Sequence, residues 1–271
     1  MPLHDDPSLV GRVVIVTGGN RGLGREMALA LIECGAHVAI VSQAGGESLA
    51  SMQHEARQLP GGKILALKGD VSNWSDCQKV VAETEAQFGA VQVLINNAGR
   101  GMRLISETYN TVPTKFWQAD VNAWKAIIDV NITGTFMMTK AVAPQMIKQR
   151  FGKIINVSTS DITMSRQGYT PYGPSKAAIE ACSQAWSREL EDTGVSVNVL
   201  LPGGATDTDL LPPGPEKKGA DGNLLRPEIM RAPALWLCSD QSDGFSGDRF
   251  VARHWDSNLA PNEAAAGART S

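Results

Sequence analysis

Little in this chain points to metal, disulfide or serine–histidine chemistry. Its four cysteines, Cys34, Cys77, Cys182 and Cys238, have neither ligand nor redox spacing and read as buried thiols in a reducing cytoplasm. The four histidines, His4, His37, His54 and His254, are equally dispersed, so no metal site is expected and no histidine-activated nucleophile is supported. No hydrophobic run reaches membrane-spanning length, and Met1 to Asp6 is polar and too short for a secretion signal. A net charge of −3 gives no reason to expect nucleic-acid or anionic-membrane binding. There is no internal repeat and no interdomain linker. The 271 residues, 42% hydrophobic and 20% charged, suit a single globular domain over 1–271 with a sizeable core.

What is present begins with a β-branched run, Val13-Val14-Ile15-Val16-Thr17, that reads as a buried strand. It leads into Gly18-Gly19-Asn20-Arg21-Gly22-Leu23-Gly24 and then a helical stretch from Arg25 to Ile32. Strand, glycine turn and helix in that order make a phosphate-binding arrangement. Glycine lets the backbone turn tightly, and the N–H groups at the helix start face an anion. The spacing is Gly-x-x-x-Gly-x-Gly, not the commoner Gly-x-Gly-x-x-Gly, and a glycine turn without a ligand is the alternative.

Further strand-like runs are Ala36–Val41, Lys63–Lys68, Val91–Asn96, Lys153–Ser158, Val195–Leu201 and Arg249–Ala252. Helices are expected over Trp74–Phe88, Trp124–Arg150, Pro174–Thr193 and Arg226–Ser239. Alternation of this kind predicts an α/β fold: a doubly wound parallel sheet of about seven strands with helices on both faces, in three layers. The second strand ends in Ser42-Gln43, with no carboxylate to repel a ribose 2′-phosphate, and Arg21 sits in the glycine loop. Both lean towards NADP(H) over NAD(H).

Tyr172 and Lys176 lie four residues apart in Thr170-Pro171-Tyr172-Gly173-Pro174-Ser175-Lys176 and share one helix face. A fixed ammonium beside a phenol is expected to lower its pKa. By itself such a pair also fits a solvated helix surface.

In combination, Thr17-Gly18-x-x-x-Gly22-x-Gly24, Gly69-Asp70-Val71, Asn96-Asn97-Ala98-Gly99, Asn131, Tyr172-x-x-x-Lys176 and Pro202-Gly203 resemble the short-chain dehydrogenase/reductase family. The resemblance runs from about residue 9 to residue 256. It implies a bound nicotinamide dinucleotide and reversible carbonyl–alcohol chemistry on a small-molecule substrate. It implies cofactor contacts for Gly18, Asn20, Arg21, Gly22, Leu23, Gly24, Ser42, Asp70, Val71, Asn97, Ala98, Gly99, Tyr172, Lys176, Pro202, Gly203, Thr206 and Thr208. A turn or helix-cap role fits Asp70 equally well. Asn131, in a long helix that opens its hydrogen bonding locally, is implied to hold a water linking the lysine to solvent. Tyr172 is implied as the acid–base and Lys176 as its partner.

The family's catalytic serine lies thirteen residues before the tyrosine, which here is Thr159. Spacing favours Thr159, and Ser160 is a close rival. Two other departures concern the substrate and the assembly. Thirty-one residues separate Gly99 from Asn131, more than the family commonly uses, and the extra stretch holds Tyr109, Pro113, Phe116 and Trp117. These aromatics are expected to wall the pocket or to pack against a partner subunit. The last strand carries Val251-Ala252-Arg253-His254 in place of the family's Val-Asp-Gly-Gly. That strand commonly joins family subunits, so a homo-oligomer, tetramer or dimer, is expected with altered contacts. Residues 210–223 read as a mobile lid with Lys217 and Lys218 exposed, and 260–271 as a frayed tail. The favoured function is a carbonyl reductase or alcohol dehydrogenase. The alternatives are a catalytically weak cofactor-binding regulator and an epimerase or dehydratase relative.

Overall fold

The computed structural model describes residues 5–214, 217–219 and 222–270. His4 and part of the expected lid lie outside them. Strands β1 (Val13–Thr17), β2 (His37–Ser42), β3 (Ile64–Lys68), β4 (Val93–Asn96), β5 (Gly152–Val157), β6 (Val195–Leu201), β7 (Arg249–Val251) and β8 (Arg269–Thr270) form one sheet in the order β3-β2-β1-β4-β5-β6-β7-β8. The first seven are parallel, and β8 alone runs antiparallel, pairing Arg249 with Thr270 and Phe250 with Arg269.

Helices α1 (Gly22–Glu33), α2 (Glu47–Ala56), α3 (Trp74–Phe88), α4 (Val121–Ile128), α5 (Thr135–Gln149), α6 (Asp161–Met164), α7 (Tyr172–Glu189), α8 (Arg231–Cys238) and α9 (Pro261–Ala268) complete the chain. Alternation along β1 explains the three layers. Val14 and Val16 pack with α1 and α8 through Met27, Leu31 and Trp236. Val13 and Ile15 face the other way, onto Val80 of α3 and Met138 and Val142 of α5. Each such buried aliphatic side chain is worth about 1.5–3 kcal/mol. Strand order reverses between β1 and β4, which opens a crevice at the carboxyl ends of the strands.

The expected elements over Trp74–Phe88 and Val195–Leu201 are met to the residue. The helix expected over Trp124–Arg150 starts earlier, at Val121, where the Asp120 carboxylate caps the N–H of Ala123 at 2.8 Å. It is then broken by a π-helical turn, Asp129–Gly134. The frayed tail expected over 260–271 is not what forms. Residues 261–268 make α9, with Ala264, Ala265 and Ala268 buried and Asn262 accepting from the Trp236 indole at 2.8 Å. Its small side chains let the helix sit close to the core. With β8, it brings the sheet to eight strands instead of seven.

Cys34, Cys77 and Cys238 are buried, and burial pushes their thiols up to about 11, 12 and 12. Cys182 is only partly buried. Among the described residues, no helix is long and apolar enough to cross a membrane, and no His/Cys/Asp/Glu group is arranged to hold a metal.

Candidate active site

The glycine turn is built against the end of β4. Gly18 and Gly22 have φ of +64° and +54°, a region that favours glycine. Thr17 Oγ1 accepts from the backbone N–H groups of Asn97 and Ala98, each at 2.9 Å. Asn97 Nδ2 donates back to the carbonyls of Thr17 at 2.9 Å and Gly18 at 3.1 Å. A Cβ on Gly24 would lie 2.4 Å from both Asn97 Nδ2 and the Gly18 oxygen, so α1 can approach this closely only with glycine there. Arg21 precedes α1 without a side-chain cap, so no side chain occupies the first N–H groups of that helix. Asn20 donates to Ser48 Oγ at 2.9 Å, and Leu23 packs on the core beneath.

At the end of β2, Ser42 accepts from the N–H of Gly69 at 3.1 Å. Gln43 Nε2 donates to Asp70 Oδ2 at 2.6 Å, and Asp70 Oδ1 accepts from both the N–H and hydroxyl of Ser72. Asp70 therefore shapes its turn and holds the Gln43 side chain. Val71 is buried against Gly134. The guanidinium beside Gln43 belongs to Arg100, which donates to Gln43 Oε1. Arg21, expected here from its place in the loop, instead pairs with Asp209 across the mouth at 3.1 Å.

The side chains expected to act together sit at the ends of β5 and α7 and in the π-helical turn. The Thr159 side chain lies close enough to the Tyr172 phenol to lower its pKa, whereas Ser160 Oγ lies 3.0 Å from Thr163 Oγ1 and serves its own short helix. Lys176 is 6% exposed and donates to the Val157 carbonyl at 2.8 Å. Asn131, in the π-helical turn, accepts from the Arg100 N–H at 2.8 Å and donates to the Arg100 carbonyl and Ser175 Oγ. Its own carbonyl accepts from Thr135 Oγ1 at 2.9 Å.

The expected lowering of the phenol by the lysine does not occur. Burial pushes Tyr172 up to about 12, and only Thr159 pulls it back. Burial also drives Lys176 down to about 8, against the pull of the Glu180 carboxylate. Desolvation outweighs pairing for both groups.

This geometry has counterparts. A family model described as short chain dehydrogenase matches residues 12–218. The chain belongs to the short-chain dehydrogenase/reductase family. It is 32% identical to a 3-oxoacyl-(acyl-carrier-protein) reductase of Thermotoga maritima over 246 residues, 88% of this chain and 95% of that one. It is 30% identical to an acetoacetyl-CoA reductase of Shinella zoogloeoides over 251 residues, 90% of this chain and 97% of that one. A crystal structure of a short-chain type dehydrogenase/reductase from Mycobacterium marinum superposes with a TM-score of 0.78 at 25% identity, covering 92% of this chain and 96% of that one. Membership makes the chain an NAD(P)-dependent oxidoreductase.

The residues present fit the family's dinucleotide. A Cβ on exposed Gly99 would lie 3.5 Å from Asn131 Oδ1 and 3.8 Å from Lys176 Nζ, so glycine leaves that approach to the lysine open. After β6 come Pro202, Gly203, Thr206 and Thr208. Gly203 has φ of +89°, and the Pro202 carbonyl accepts from Arg253 at 3.1 Å. Thr206 bridges to Leu225, and Thr208 reaches back to the glycine turn, where a Gly22 Cβ would sit 3.1 Å from its methyl.

The inserted aromatics divide. Tyr109 is buried, meets the Tyr169 ring at 5.3 Å edge-on and points its hydroxyl at the Leu210 carbonyl, 3.4 Å away. The chain has only three tyrosines, and all gather here: Tyr109 and Tyr172 both lie close enough to Tyr169 to feel its phenol. Pro113 packs on Gly168 of the same loop. Phe116 and Trp117 face solvent, 65% and 67% exposed. In the expected lid, Lys217 is not exposed but pairs with Asp207 at 2.6 Å, while Lys218 is exposed and residues 215, 216, 220 and 221 lie outside the described residues. Two side chains escaped the sequence reading. Arg100 was signalled by its place directly after Asn97-Ala98-Gly99; Arg249 carried no local signal.

Proposed function

We propose that this protein reduces a ketone to a secondary alcohol, and reverses that reaction, with NADP(H) preferred over NAD(H). The observation that carries the reading is the nearness of the Thr159 side chain to the Tyr172 phenol, with Lys176, one turn further along the same helix, buried at the open Gly99 face. The bound nicotinamide supplies or accepts the hydride. Thr159 and Tyr172 present two hydroxyls to one substrate oxygen and stabilise the negative charge that grows on it. Tyr172, with its pKa pushed up to about 12, carries its proton at neutral pH and delivers it as general acid. In oxidation it takes the proton back. Lys176 brings positive charge and hydrogen bonding for the nicotinamide ribose, and Asn131 holds the β4 loop over α7 through both backbone groups of Arg100.

The NADP(H) preference is supported by the absence of a carboxylate at Ser42-Gln43 and by Arg100 beside Gln43, where a guanidinium can meet a 2′-phosphate. The named relatives act on 3-oxoacyl groups, so acetoacetyl-CoA belongs in the substrate panel with simple ketones and aldehydes. Loss of the reduced-nicotinamide absorbance on adding a ketone tests the reading. An enzyme that binds NADPH and turns over nothing in the panel would refute it. Assembly into a dimer or tetramer forms part of the same proposal, supported by exposed Val112, Phe116, Trp117 and Val121, and sedimentation velocity checks it. The free thiols suit a reducing compartment such as the cytoplasm.

A further inference from the structure

Arg249 is 15% exposed and its guanidinium reaches four parts of the molecule. Nε donates to both oxygens of Glu180, at 3.2 and 3.1 Å. Nη1 donates to Thr270 Oγ1 on β8 at 3.2 Å. Nη2 donates to the Thr159 carbonyl at 3.3 Å and to Asp161 Oδ1 at 2.9 Å. Glu180, 18% exposed, stands one turn along α7 from Lys176 on the same face.

These bonds matter because of what they join. Thr159 lies in a short link between β5 and α6, and α6 is a single helical turn with no fully buried residue. The C-terminal end of α6 abuts α7, its Thr163 and Met164 carbonyls lying against Gly173, but Thr159 and Asp161 at its start bury little side chain to fix them. Tyr172 and Lys176, by contrast, ride on the long helix α7. The guanidinium is the described cation that grips both: the link through Thr159 and Asp161, the helix through Glu180. A planar fork with five donors can span such partners at once, which a lysine ammonium cannot.

We propose that Arg249 is a positioning residue for the reaction, registering the Thr159 link against α7 so that the Thr159 and Tyr172 hydroxyls meet one substrate oxygen. The inference rests on the ketone-reductase reading above. Its touch on Thr270 adds a second consequence: the C-terminal strand buttresses the catalytic link from behind.

The test compares Arg249→Met, Arg249→Lys, Glu180→Met and the double variant Arg249→Met/Glu180→Met. Each is assayed for kcat and KM with a ketone the parent reduces, and for NADPH affinity by fluorescence titration without substrate. Arg249→Met leaves Glu180 unpaired and is liable to unfold; the double variant removes both charges, a change often tolerated, and then decides when read against Glu180→Met alone, which carries any effect that runs through Lys176. The expected result is a fall in kcat of about tenfold or more, since small misplacements of catalytic groups are expensive, with KM and NADPH affinity within about threefold of the parent. Arg249→Lys, which keeps the charge beside Glu180 but cannot span to Thr159, recovers thermal stability without recovering kcat. Unchanged kcat in the folded Arg249→Met variants overturns the proposal. So does full rescue by lysine, or NADPH affinity falling in step with kcat. A parent inactive on every ketone defeats the functional reading itself, an outcome distinct from an active parent with indifferent Arg249 variants.

Discussion

The side chain of Thr159 stands beside the phenol of Tyr172 and pulls its pKa down, while its neighbour Ser160 turns away to Thr163, 3.0 Å off. Two adjacent residues with interchangeable chemistry are thereby separated by direction alone. Thr159→Ala is expected to lower kcat by about 10²–10³, the usual effect of losing one donor to a developing oxyanion. Thr159→Ser retains most of the rate, and Ser160→Ala is close to parental. Steady-state kinetics on the three variants decides, and a dead Ser160→Ala with an active Thr159→Ala would reverse the assignment.

Tyr172→Phe removes the proton and leaves the ring. Turnover is expected to fall by about 10²–10⁴, the range for a positioned general acid, with NADPH affinity preserved. Fluorescence titration beside the kinetic assay separates these two quantities.

The pH profile of ketone reduction is set by Lys176, whose pKa is lowered to about 8, since Tyr172 keeps its proton up to about 12. The ammonium exists below about 8 and is lost as pH rises through that value, so kcat/KM for reduction is expected to decline above it. The Glu180 carboxylate raises the lysine pKa, and Glu180→Gln therefore moves the decline to lower pH. A break that stays put in the variant would show that another group governs the profile.

Gly24→Ala is a test of the clamp between the glycine turn and β4. Inside a helix, alanine ordinarily stabilises by about 1 kcal/mol over glycine. Here its Cβ would come within 2.4 Å of Asn97 Nδ2 and the Gly18 oxygen, and overpacking of that kind costs about 1–3 kcal/mol. Denaturant melts should show a net loss of stability together with weaker NADPH binding; a more stable variant would mean the turn yields.

Cofactor choice is expected to follow Arg100. Arg100→Leu weakens binding of 2′,5′-ADP about tenfold, the loss of one charge-assisted bond, and leaves 5′-ADP unaffected. Arg21, already paired with Asp209, matters less. Calorimetry with the two nucleotides needs no turnover.

Much of this architecture was readable from residue order because β-branched runs such as Val13–Thr17 and Val195–Leu201 have few other uses than buried parallel strands. The glycines and the Tyr172–Lys176 spacing were legible for the same reason: each answers a local geometric demand. Three things were not. α9 buries alanines, which leave no hydrophobic stripe to notice. The union of Arg249 with Glu180 spans 69 positions, and no periodicity joins them. The direction of the Tyr172 shift depends on burial against charge, and burial emerges only once the chain has folded around the phenol.

The antiparallel pairing of Arg269 and Thr270 with β7 leaves a mark beyond the catalytic cleft. A parallel sheet that stops at a bare margin offers unmet amide and carbonyl groups to whatever extended peptide drifts past. Here Arg269 and Thr270 cover β7 and leave a margin only two residues long, which gives such a peptide little to pair with. Trimming the chain ahead of Pro261 would unzip the seam, and precipitation under mild warming would be the visible symptom.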